Sequence, residues 1–357
     1  MVEPKLSVII PAYNTAKTIV RCLDSIFSQL TGKLRDAVEV IAVEDRSPDN
    51  VGEILDAYQA KHSELKVIHR ATNGGEAGAH NTGMEASCGE YFLRLDSDDT
   101  LKPGSVARIL ELVDEFQPDI LLHAFTSVTP EGTVISQSGF GCEGLLDLNC
   151  ATRTDVRHAF SSVAFGIMTP NVVYRRVAAP DVRQDPKYKI SGDRYFGWQF
   201  FAKSKRFYLT NESFVDYYIY PNSMSRVLSD QAVSGLLELN IKFWNEIQRH
   251  PQFPIGRVSA FNRIFPGQVG WDYEIVFKAE PEKLKHADEY FAALSNFLRD
   301  GTSLRVLGVF HYYLKVACWL KSPRMMGLYH NVFYKFIWRA ERKAKRILKK
   351  LVDRIGL

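Results

Sequence analysis

The sequence predicts an α/β fold in which one sheet is covered by helices on both faces. Two observations predict this class. Along the first 125 residues, short apolar runs alternate with stretches whose apolar residues recur at helical spacing. Several of the apolar runs also end in polar or acidic residues, as strands do where they leave a core. Such alternation is the βαβ pattern of a sheet with helices on both sides.

The elements follow from these patterns in order. Strands are predicted at 6–10, 38–43, 65–68, 91–95 and 120–124. Helices are predicted through the apolar positions 19, 23, 26 and 27, after Ser47 as cap with Pro48 in the first turn, over 77–88 and over 104–116. In parallel sheets, ligands bind beyond the carboxyl ends of the strands. The residues that follow the predicted strands are therefore the candidates for a site.

The pattern is weaker beyond residue 125. A hairpin is predicted around Pro130 and Gly132, strands at 171–175 and 214–220, and a helix over 192–203. Residues 231–325 have mostly helical patterns rich in aromatic residues. At 357 residues the chain is longer than one ordinary domain, so a catalytic unit followed by a mostly helical C-terminal region is expected.

Composition favours a cytoplasmic protein. The segment before the first strand does not resemble a signal peptide. The apolar stretch 304–320 is interrupted by Arg305, His311 and Lys315, which disfavours a membrane span. The five cysteines are odd in number and scattered, which indicates reduced thiols rather than a disulfide framework or a metal site.

Positive charge is concentrated in the tail. Residues 331–357 carry nine Lys or Arg and two acids, a net +7, whereas the whole chain is only +4, so the rest is −3. From residue 333 onward, apolar residues recur at helical spacing opposite the basic face. Such a helix either binds an anionic membrane surface or packs its apolar face on the protein. Nucleic-acid binding is disfavoured because the remainder is acidic.

An acidic cluster ends the fourth predicted strand. Asp96 and Asp98 are two residues apart, so in an extended chain their side chains point to the same side. Two such carboxylates suit a hard divalent cation that shares its oxygen ligands with phosphates. The alternative is a solvated turn in which Asp99 caps the next helix.

Three further segments follow strand ends. In chain order the four segments are Pro11-Ala12-Tyr13-Asn14, then Val43-Glu44-Asp45-Arg46-Ser47, then the glycine-rich stretch 73–83, then Asp96-Ser97-Asp98-Asp99. Together they resemble the family 2 glycosyltransferases over about residues 5–225. The resemblance implies a GT-A (Rossmann-like) mixed sheet in a catalytic domain over 1–228. It also implies a nucleotide-binding half at 1–125 and an acceptor-side half at 126–228. The helical patterns and the charge distribution predict an accessory region at 229–330 and the tail helix at 331–357.

The resemblance also implies roles for residues at a nucleotide-sugar site. Donor-nucleotide binding is expected from Pro11, Ala12, Tyr13, Asp45, Gly75, His80, Asp96 and Arg226, and metal binding from Asp98 and Asp96. Tyr13 would stack on the base, with a core aromatic as the alternative. Asp45 would accept a hydrogen bond from the base, with a helix cap as the alternative. The expected cofactor is Mn²⁺ or Mg²⁺.

Two positions depart from the family pattern. Family members commonly carry Arg where this chain has His80, so a packed or surface histidine is at least as good an interpretation. Asp193, at the start of the helix predicted over 192–203, resembles the catalytic carboxylate, but Gly192 stands where an acidic neighbour is usual. Its alternative role is an interaction with the helix dipole. Trp198 is expected to be buried.

The hypothesis is therefore a metal-dependent, inverting glycosyltransferase of bacterial surface-polysaccharide synthesis. It would transfer a sugar from a UDP-sugar to a glycan or lipid-linked glycan. It is expected in the cytoplasm, with attachment to the inner face of the cell membrane as a further option. One alternative is a catalytically decayed glycan- or membrane-binding protein on the same scaffold. Another is a nucleotidyltransferase, which the segment at 11–14 disfavours because it offers no glycine-rich, basic phosphate loop.

Overall fold

A computed structural model gives the fold of the chain. The structure describes residues 3–140, 142–150, 169–189 and 191–220, with isolated positions at 238, 239, 242 and 246. The chain divides into two compact units, Met1–Val227 and Leu228–Leu357, and the architecture below is that of the first. Apart from the four isolated positions, the predicted accessory region 229–330 and tail 331–357 lie outside the described residues.

The described part contains ten strands and six α-helices. The strands are β1 (Leu6–Ala12), β2 (Val38–Glu44), β3 (Leu65–His69), β4 (Tyr91–Arg94), β5 (Thr100–Leu101), β6 (Ile120–Val128), β7 (Val134–Gln137), β8 (Gly144–Asp147), β9 (Val172–Arg175) and β10 (Arg206–Tyr218). The helices are α1 (Ile19–Phe27), α2 (Lys33–Ala37), α3 (Val51–Gln59), α4 (Gly75–Ala86), α5 (Ser105–Phe116) and α6 (Gly192–Lys203).

All ten strands belong to one mixed sheet. Its main path runs β3-β2-β1-β4-β9-β6-β10-β5, with β7 paired to β6 and β8 paired to β10. Neighbours are parallel from β3 to β4, and β6 is parallel to β10. Between these two blocks, β9 is antiparallel to both β4 and β6. The predicted α/β fold is confirmed.

Helices cover both faces of the sheet because side chains alternate along each strand. On one face, the odd-numbered residues of β4 join a core with α1, α3 and α5, represented by Leu93 and Leu23. On the other face, Ile41 and Val43 pack on Ala79 of α4. The Phe92 ring there stacks on Tyr174 of β9 and meets aromatic rings of α6. The sheet is thereby buried on both sides.

The helix predicted to open at Ser47-Pro48 begins later. Helix α3 starts at Val51 with Asn50 as its N-cap. Ser47 instead donates its hydroxyl to Asp49 at 2.5 Å, and both side chains turn toward the segment after β1. The last predicted strand is also longer than expected, since β10 begins at Arg206 rather than at 214.

A tight turn before β4 fixes the position of the strand that leads to the acidic cluster. The Glu39 carboxylate of β2 accepts the Cys88 N–H at 2.6 Å and the Gly89 N–H at 2.9 Å. Ser7 of β1 donates to the same carboxylate at 2.6 Å and accepts from Gly89. A Cβ at Gly89 would lie 2.5 Å from the Ser7 hydroxyl and 2.9 Å from the Tyr91 carbonyl oxygen. Only glycine fits this turn.

We expect Gly89→Ala to lower the free energy of unfolding by about 1–3 kcal/mol, because the added methyl group overlaps backbone atoms that cannot move aside. Urea denaturation of the purified protein measures this change. Gly52→Ala in α3 is the matched control, since its Cβ would meet His69 at an ordinary 3.4 Å. The control should change stability by less than about 1 kcal/mol, in the stabilising direction. Equal losses in both variants would contradict the assignment.

Candidate active site at the carboxyl edge of the sheet

The chain turns sharply after β1, and this turn presents Tyr13. Asn14 has a left-handed backbone with φ of 56°, which asparagine tolerates better than most residues. Its N–H donates to the Ser47 hydroxyl at 2.8 Å, and the Ala16 N–H donates to Asp49 at 2.8 Å. The Tyr13 side chain is 51% exposed. This exposure excludes a core role for the ring and leaves about half of the residue accessible to a ligand.

Asp45 follows β2 and lies beside this turn. Its side chain is buried, and its Oδ1 accepts Arg70 at 2.5 Å and the Gly74 N–H at 2.9 Å. The alternative of a helix cap is wrong, because Asn50 caps α3. Among the described residues, its Oδ2 receives only a longer 3.2 Å contact from Gly74, which leaves capacity for another donor.

Three other residues assigned to the donor lie at the same edge. Pro11 and Ala12 are the last residues of β1, in parallel register with Val43 and Glu44 of β2. The Ala12 carbonyl accepts the Asp45 N–H at 3.0 Å, which ties the two strand ends together. Gly75 begins α4 with φ of 69°, and no atom of the described residues lies within 4 Å of the position where a Cβ would stand.

Arg70 is a residue that the sequence interpretation missed. Its guanidinium occupies the space where Cβ atoms at Gly74 and Gly78 would stand. The glycines at 74 and 78 therefore leave room for Arg70, which pairs with Asp45. They also leave the backbone accessible to a ligand. The available signal was a lone arginine directly after β3, at the same edge as Asp45.

The acidic cluster follows β4. Restricted hydration, together with the charges of Glu76 and Asp98, raises the pKa of the Asp96 carboxyl well above its ordinary value. Burial also raises the pKa of Asp98. Among the described residues, neither carboxylate forms an ion pair. Two crowded acids without a cation are the arrangement that a bound metal would relieve.

Asp99 has a structural role different from the predicted cap. Helix α5 has Gly104 as its N-cap. Asp99 is instead buried, and its Oδ1 accepts the Tyr218 N–H at 2.9 Å, which joins the cluster to the end of β10. Arg21 of α1 reinforces this junction. It donates to the Asp98 carbonyl at 2.7 Å and stacks on the Tyr218 ring at 3.6 Å from the ring centre.

The residues present fit a hard divalent cation. Asp96 and Asp98 offer carboxylate oxygens that form no ion pair with any described residue, and such oxygens are the ligands that Mg²⁺ and Mn²⁺ take in proteins. Within the described ranges, no group of three or more His, Cys, Asp or Glu side chains converges on one point. One or two carboxylates completed by substrate phosphates is the usual arrangement for Mg²⁺.

Asp193 lies in the first turn of α6. Its Oδ2 accepts the Thr169 N–H at 3.2 Å and the Thr169 hydroxyl at 2.9 Å, so the carboxylate is held in a defined orientation. Burial raises the pKa of Glu76 and of Asp96, and the negative charge of Asp193 adds to both shifts, so the three acids interact electrostatically. Trp198, further along α6, is buried as expected.

The assignment of His80 to the donor is corrected by its burial. His80 of α4 is fully buried, and its Nδ1 contacts the Arg94 guanidinium. Burial and the charge of Arg94 lower the pKa of His80 well below its ordinary value, so the ring is neutral. The packed-histidine alternative is therefore the one that the structure favours. Sequence reasoning missed both Arg94 and Glu76. The signal was a single charge inside the apolar strand 91–95.

The remaining expectations fall on residues that the structure does not describe. Arg226 and the basic tail 331–357 lie outside the described ranges. Among the described residues, no helix is both long enough and apolar enough to cross a bilayer.

The fold and the edge residues together define the class of the domain. Residues 7–179 match the family model of glycosyl transferase family 2. A solved structure of Staphylococcus aureus TarS residues 1–349 with UDP-GlcNAc has the same GT-A fold, with a TM-score of 0.70 over 93% of this chain and 92% of that one, at 21% identity. Residues 7–179 are therefore a glycosyl transferase family 2 domain.

Curated relatives are similar to different extents. EpsJ of Bacillus subtilis, an uncharacterized glycosyltransferase, is 27% identical over 248 residues, which are 68% of this chain and 70% of EpsJ. The glycosyltransferase GlyG of Streptococcus pneumoniae is 36% identical over 117 residues, which are 33% of this chain and 38% of GlyG. The poly(ribitol-phosphate) beta-glucosyltransferase of Bacillus spizizenii is 36% identical over 129 residues, 36% of this chain and only 20% of that enzyme.

We expect Arg70→Met to lower the free energy of unfolding by about 3 kcal/mol, because the buried Asp45 carboxylate loses its cation. This is the lower end of the usual range of about 3–5 kcal/mol, since the Arg70 side chain is partly in contact with water. Thermal unfolding and urea titration measure the loss. Arg35→Met is the control, since Arg35 also pairs with an acid, Glu64, at 2.6 Å, but its side chain lies largely in solvent. That variant should lose less than about 1 kcal/mol. A similar loss in both variants would count against a special role for the Asp45 pair.

His69, at the end of β3, should make stability depend on pH. Hydrogen bonding to Asp56 and Glu44 raises the pKa of His69 above its ordinary value. Its contribution is therefore fully present below about pH 6.5, the unfolded-state value, and is lost as pH rises through the folded-state pKa. The difference in unfolding free energy between wild type and His69→Gln should be largest at acidic pH and below about 1 kcal/mol. A difference that grows with pH would have the wrong sign.

Proposed function

We propose that the protein is a metal-dependent, inverting glycosyltransferase. It transfers a sugar from a nucleotide donor, for which a UDP-sugar is the expected class, to a hydroxyl of a glycan or lipid-linked glycan in bacterial surface-polysaccharide synthesis. The observation that carries this proposal is the meeting of Asp45, the Asp96-to-Asp98 pair and Asp193 at one edge of the sheet. A nucleoside seat, a diphosphate clamp and a base are the three groups that such a reaction requires.

The nucleoside seat consists of Tyr13 and Asp45. The exposed Tyr13 ring offers a face on which a base stacks, an interaction worth about 1–3 kcal/mol per base in nucleic-acid systems. Asp45, fixed by Arg70, has capacity on Oδ2 for an N–H donor such as the N3–H of uracil. Its orientation is set before any ligand binds, so little conformational entropy is lost on binding.

Asp96 and Asp98 would hold the divalent ion beside the diphosphate. When bound, Mn²⁺ or Mg²⁺ supplies Lewis-acid charge neutralisation for the departing nucleoside diphosphate. The protein's part is to present both carboxylates from a fixed backbone. Arg21 contributes through its bond to the Asp98 carbonyl oxygen, and Asp99 through its bond to β10.

Asp193 is the proposed general base. With Oδ2 occupied by Thr169, the carboxylate is oriented to accept the proton of an acceptor hydroxyl. The hydroxyl then attacks the anomeric carbon from the face opposite the leaving group. A single displacement of this kind inverts the anomeric configuration.

Relatives support the substrate class. TarS has been solved with UDP-GlcNAc, and a solved mannosyltransferase from Pyrobaculum calidifontis, with the same fold at 14% identity and a TM-score of 0.51, holds GDP-Man and Mn²⁺. Curated relatives include the succinoglycan biosynthesis protein ExoO of Rhizobium meliloti, 28% identical over 67% of this chain. A location on the inner face of the membrane depends on the tail and stays a prediction.

Two substitutions test the site. We expect Asp193→Ala to lower the rate of sugar transfer by about 10²–10⁴-fold while UDP binding persists, because the base acts only on the acceptor. Asp98→Ala should instead remove the Mn²⁺ dependence of UDP binding, measured by calorimetry with and without Mn²⁺. A panel of nucleotide sugars, assayed for metal-dependent hydrolysis, identifies the donor for the rate measurements.

Asp181→Ala is the control for both substitutions, since Asp181 is an exposed acid paired with Lys203 away from the sheet edge. It should bind UDP and transfer sugar as the wild type does. Near-normal transfer by both site variants would refute the site assignment. Absence of any metal-dependent UDP binding in the wild type would instead favour a decayed, non-catalytic scaffold.

A further inference from the structure

A buried arginine at the end of β4 connects the two sides of the proposed site. Arg94 is 1% exposed, and its Nη2 contacts both His80 Nδ1 of α4 and Gln184 Oε1 of the segment before α6. The same nitrogen lies 3.5 Å from the Glu76 carboxylate. A buried guanidinium requires this many partners because its desolvation is costly.

The Arg94 group also reaches helix α6. Its guanidinium carbon lies 4.9 Å from the centre of the Phe196 ring, one turn beyond Asp193. Gln184 is held in turn by α4, because the Asn81 amide donates to its carbonyl at 2.8 Å and accepts its N–H at 2.9 Å. Arg94 is thus in contact with α4, the 184 segment and the first turns of α6 together.

Gly192 belongs to the same cluster. A Cβ at this position would lie 3.1 Å from Gln184 Nε2 and 3.6 Å from Tyr188 Cβ. A larger side chain at 192 would displace the Gln184 amide from Arg94. The two departures from the family pattern therefore lie on either side of one contact pair: His80 contacts Arg94, and Gly192 leaves room for Gln184, which also contacts Arg94.

The charge of Arg94 offsets repulsion between the carboxylates near it. Burial raises the pKa of the Glu76 and Asp96 carboxyl groups, and the negative charge of Asp193 raises both further, whereas the charge of Arg94 lowers both. Without a fixed cation, repulsion would push the Glu76 and Asp193 side chains apart. Arginine suits the position better than lysine, because a planar fork can contact several acceptors and stack on a ring at once.

We propose that Arg94 is a positioning residue for the transfer reaction: its guanidinium fixes Glu76 and, through Gln184 and Phe196, the first turn of α6 that carries Asp193. This inference rests on the proposed function. It assigns to β4 a second task beside presenting Asp96 and Asp98. It also explains how a neutral His80 is compatible with an active site, since the permanent charge comes from the neighbouring strand.

The test removes the guanidinium group from position 94 and then restores one from position 80. Arg94→Met should lower kcat for transfer by about 100-fold, a typical cost of misplacing a catalytic group, while the Kd for UDP with Mn²⁺ changes by less than about threefold. The double variant His80→Arg with Arg94→Met returns a guanidinium to the same point from α4 and should recover at least about tenfold of the lost rate. Gly192→Ala should reduce kcat less, because every charge remains.

Arg176→Met is the matched control. Arg176 is a half-buried arginine that donates to the Gly89 and Met84 carbonyls and lies over the Phe92 ring, away from Asp193. Its loss should lower the melting temperature with kcat unchanged. The inference is wrong if Arg94→Met keeps kcat within about threefold of wild type. It is also wrong if Arg94→Met and Arg176→Met lower the melting temperature equally and reduce kcat by the same factor.

Amide hydrogen exchange separates this inference from the proposed function. Exchange in the first turn of α6 should be at least about tenfold faster in Arg94→Met than in wild type, and it should return toward wild type in the double variant. This readout needs no donor sugar. If the wild type transfers no sugar from any donor, the proposed function fails while faster exchange still supports the positioning role. Unchanged exchange in Arg94→Met would overturn the positioning role itself.

Discussion

Charge balance at the carboxyl edge of the sheet is the constraint on which the rest of the site depends. Parallel pairing of β1, β2 and β4 brings the residues that follow these strands into one place. Several of those residues are acids, and acids repel each other strongly where water is scarce. The chain counters this with arginines from three separate segments. Arg70 lies on Asp45, Arg94 lies beside Glu76, and Arg21 binds the backbone of the Asp98 turn.

The part of the fold that local pattern determines was predictable from the sequence. The strands and helices predicted in the first 125 residues all occur within a few positions of the predicted ones, because each has its own hydrophobic period. The short elements α2 and β5 were not predicted. Helix α6 has the predicted bounds, Gly192–Lys203. The exceptions are local as well. Pro48 lies three positions before Val51, the first residue of α3, because Ser47 and Asp49 form hydrogen bonds with the turn after β1.

What could not be predicted depends on contacts between distant residues. Asp99 reads as a helix cap locally, yet its partner is Tyr218, 119 residues away in sequence. His80 reads as a candidate ligand until Arg94 is placed against it from another element. The resemblance to a family supplied positions for the acids but no positions for their counter-charges. The counter-charges are arginine side chains, and where these side chains lie is determined by the packing of the sheet.

The single antiparallel strand between the two parallel blocks has a consequence for how such a domain can diversify. Tyr13, Asp45, Asp96 and Asp98 all come from the continuous stretch of chain that forms β3, β2, β1 and β4, whereas Asp193 comes from the stretch beyond β9. The groups proposed for the donor and the base proposed for the acceptor are therefore encoded one after the other along the gene. Recombination near β9 could exchange acceptor preference while leaving the donor half intact. Strand β9 is therefore the boundary at which such an exchange would produce enzymes that form new glycosidic linkages.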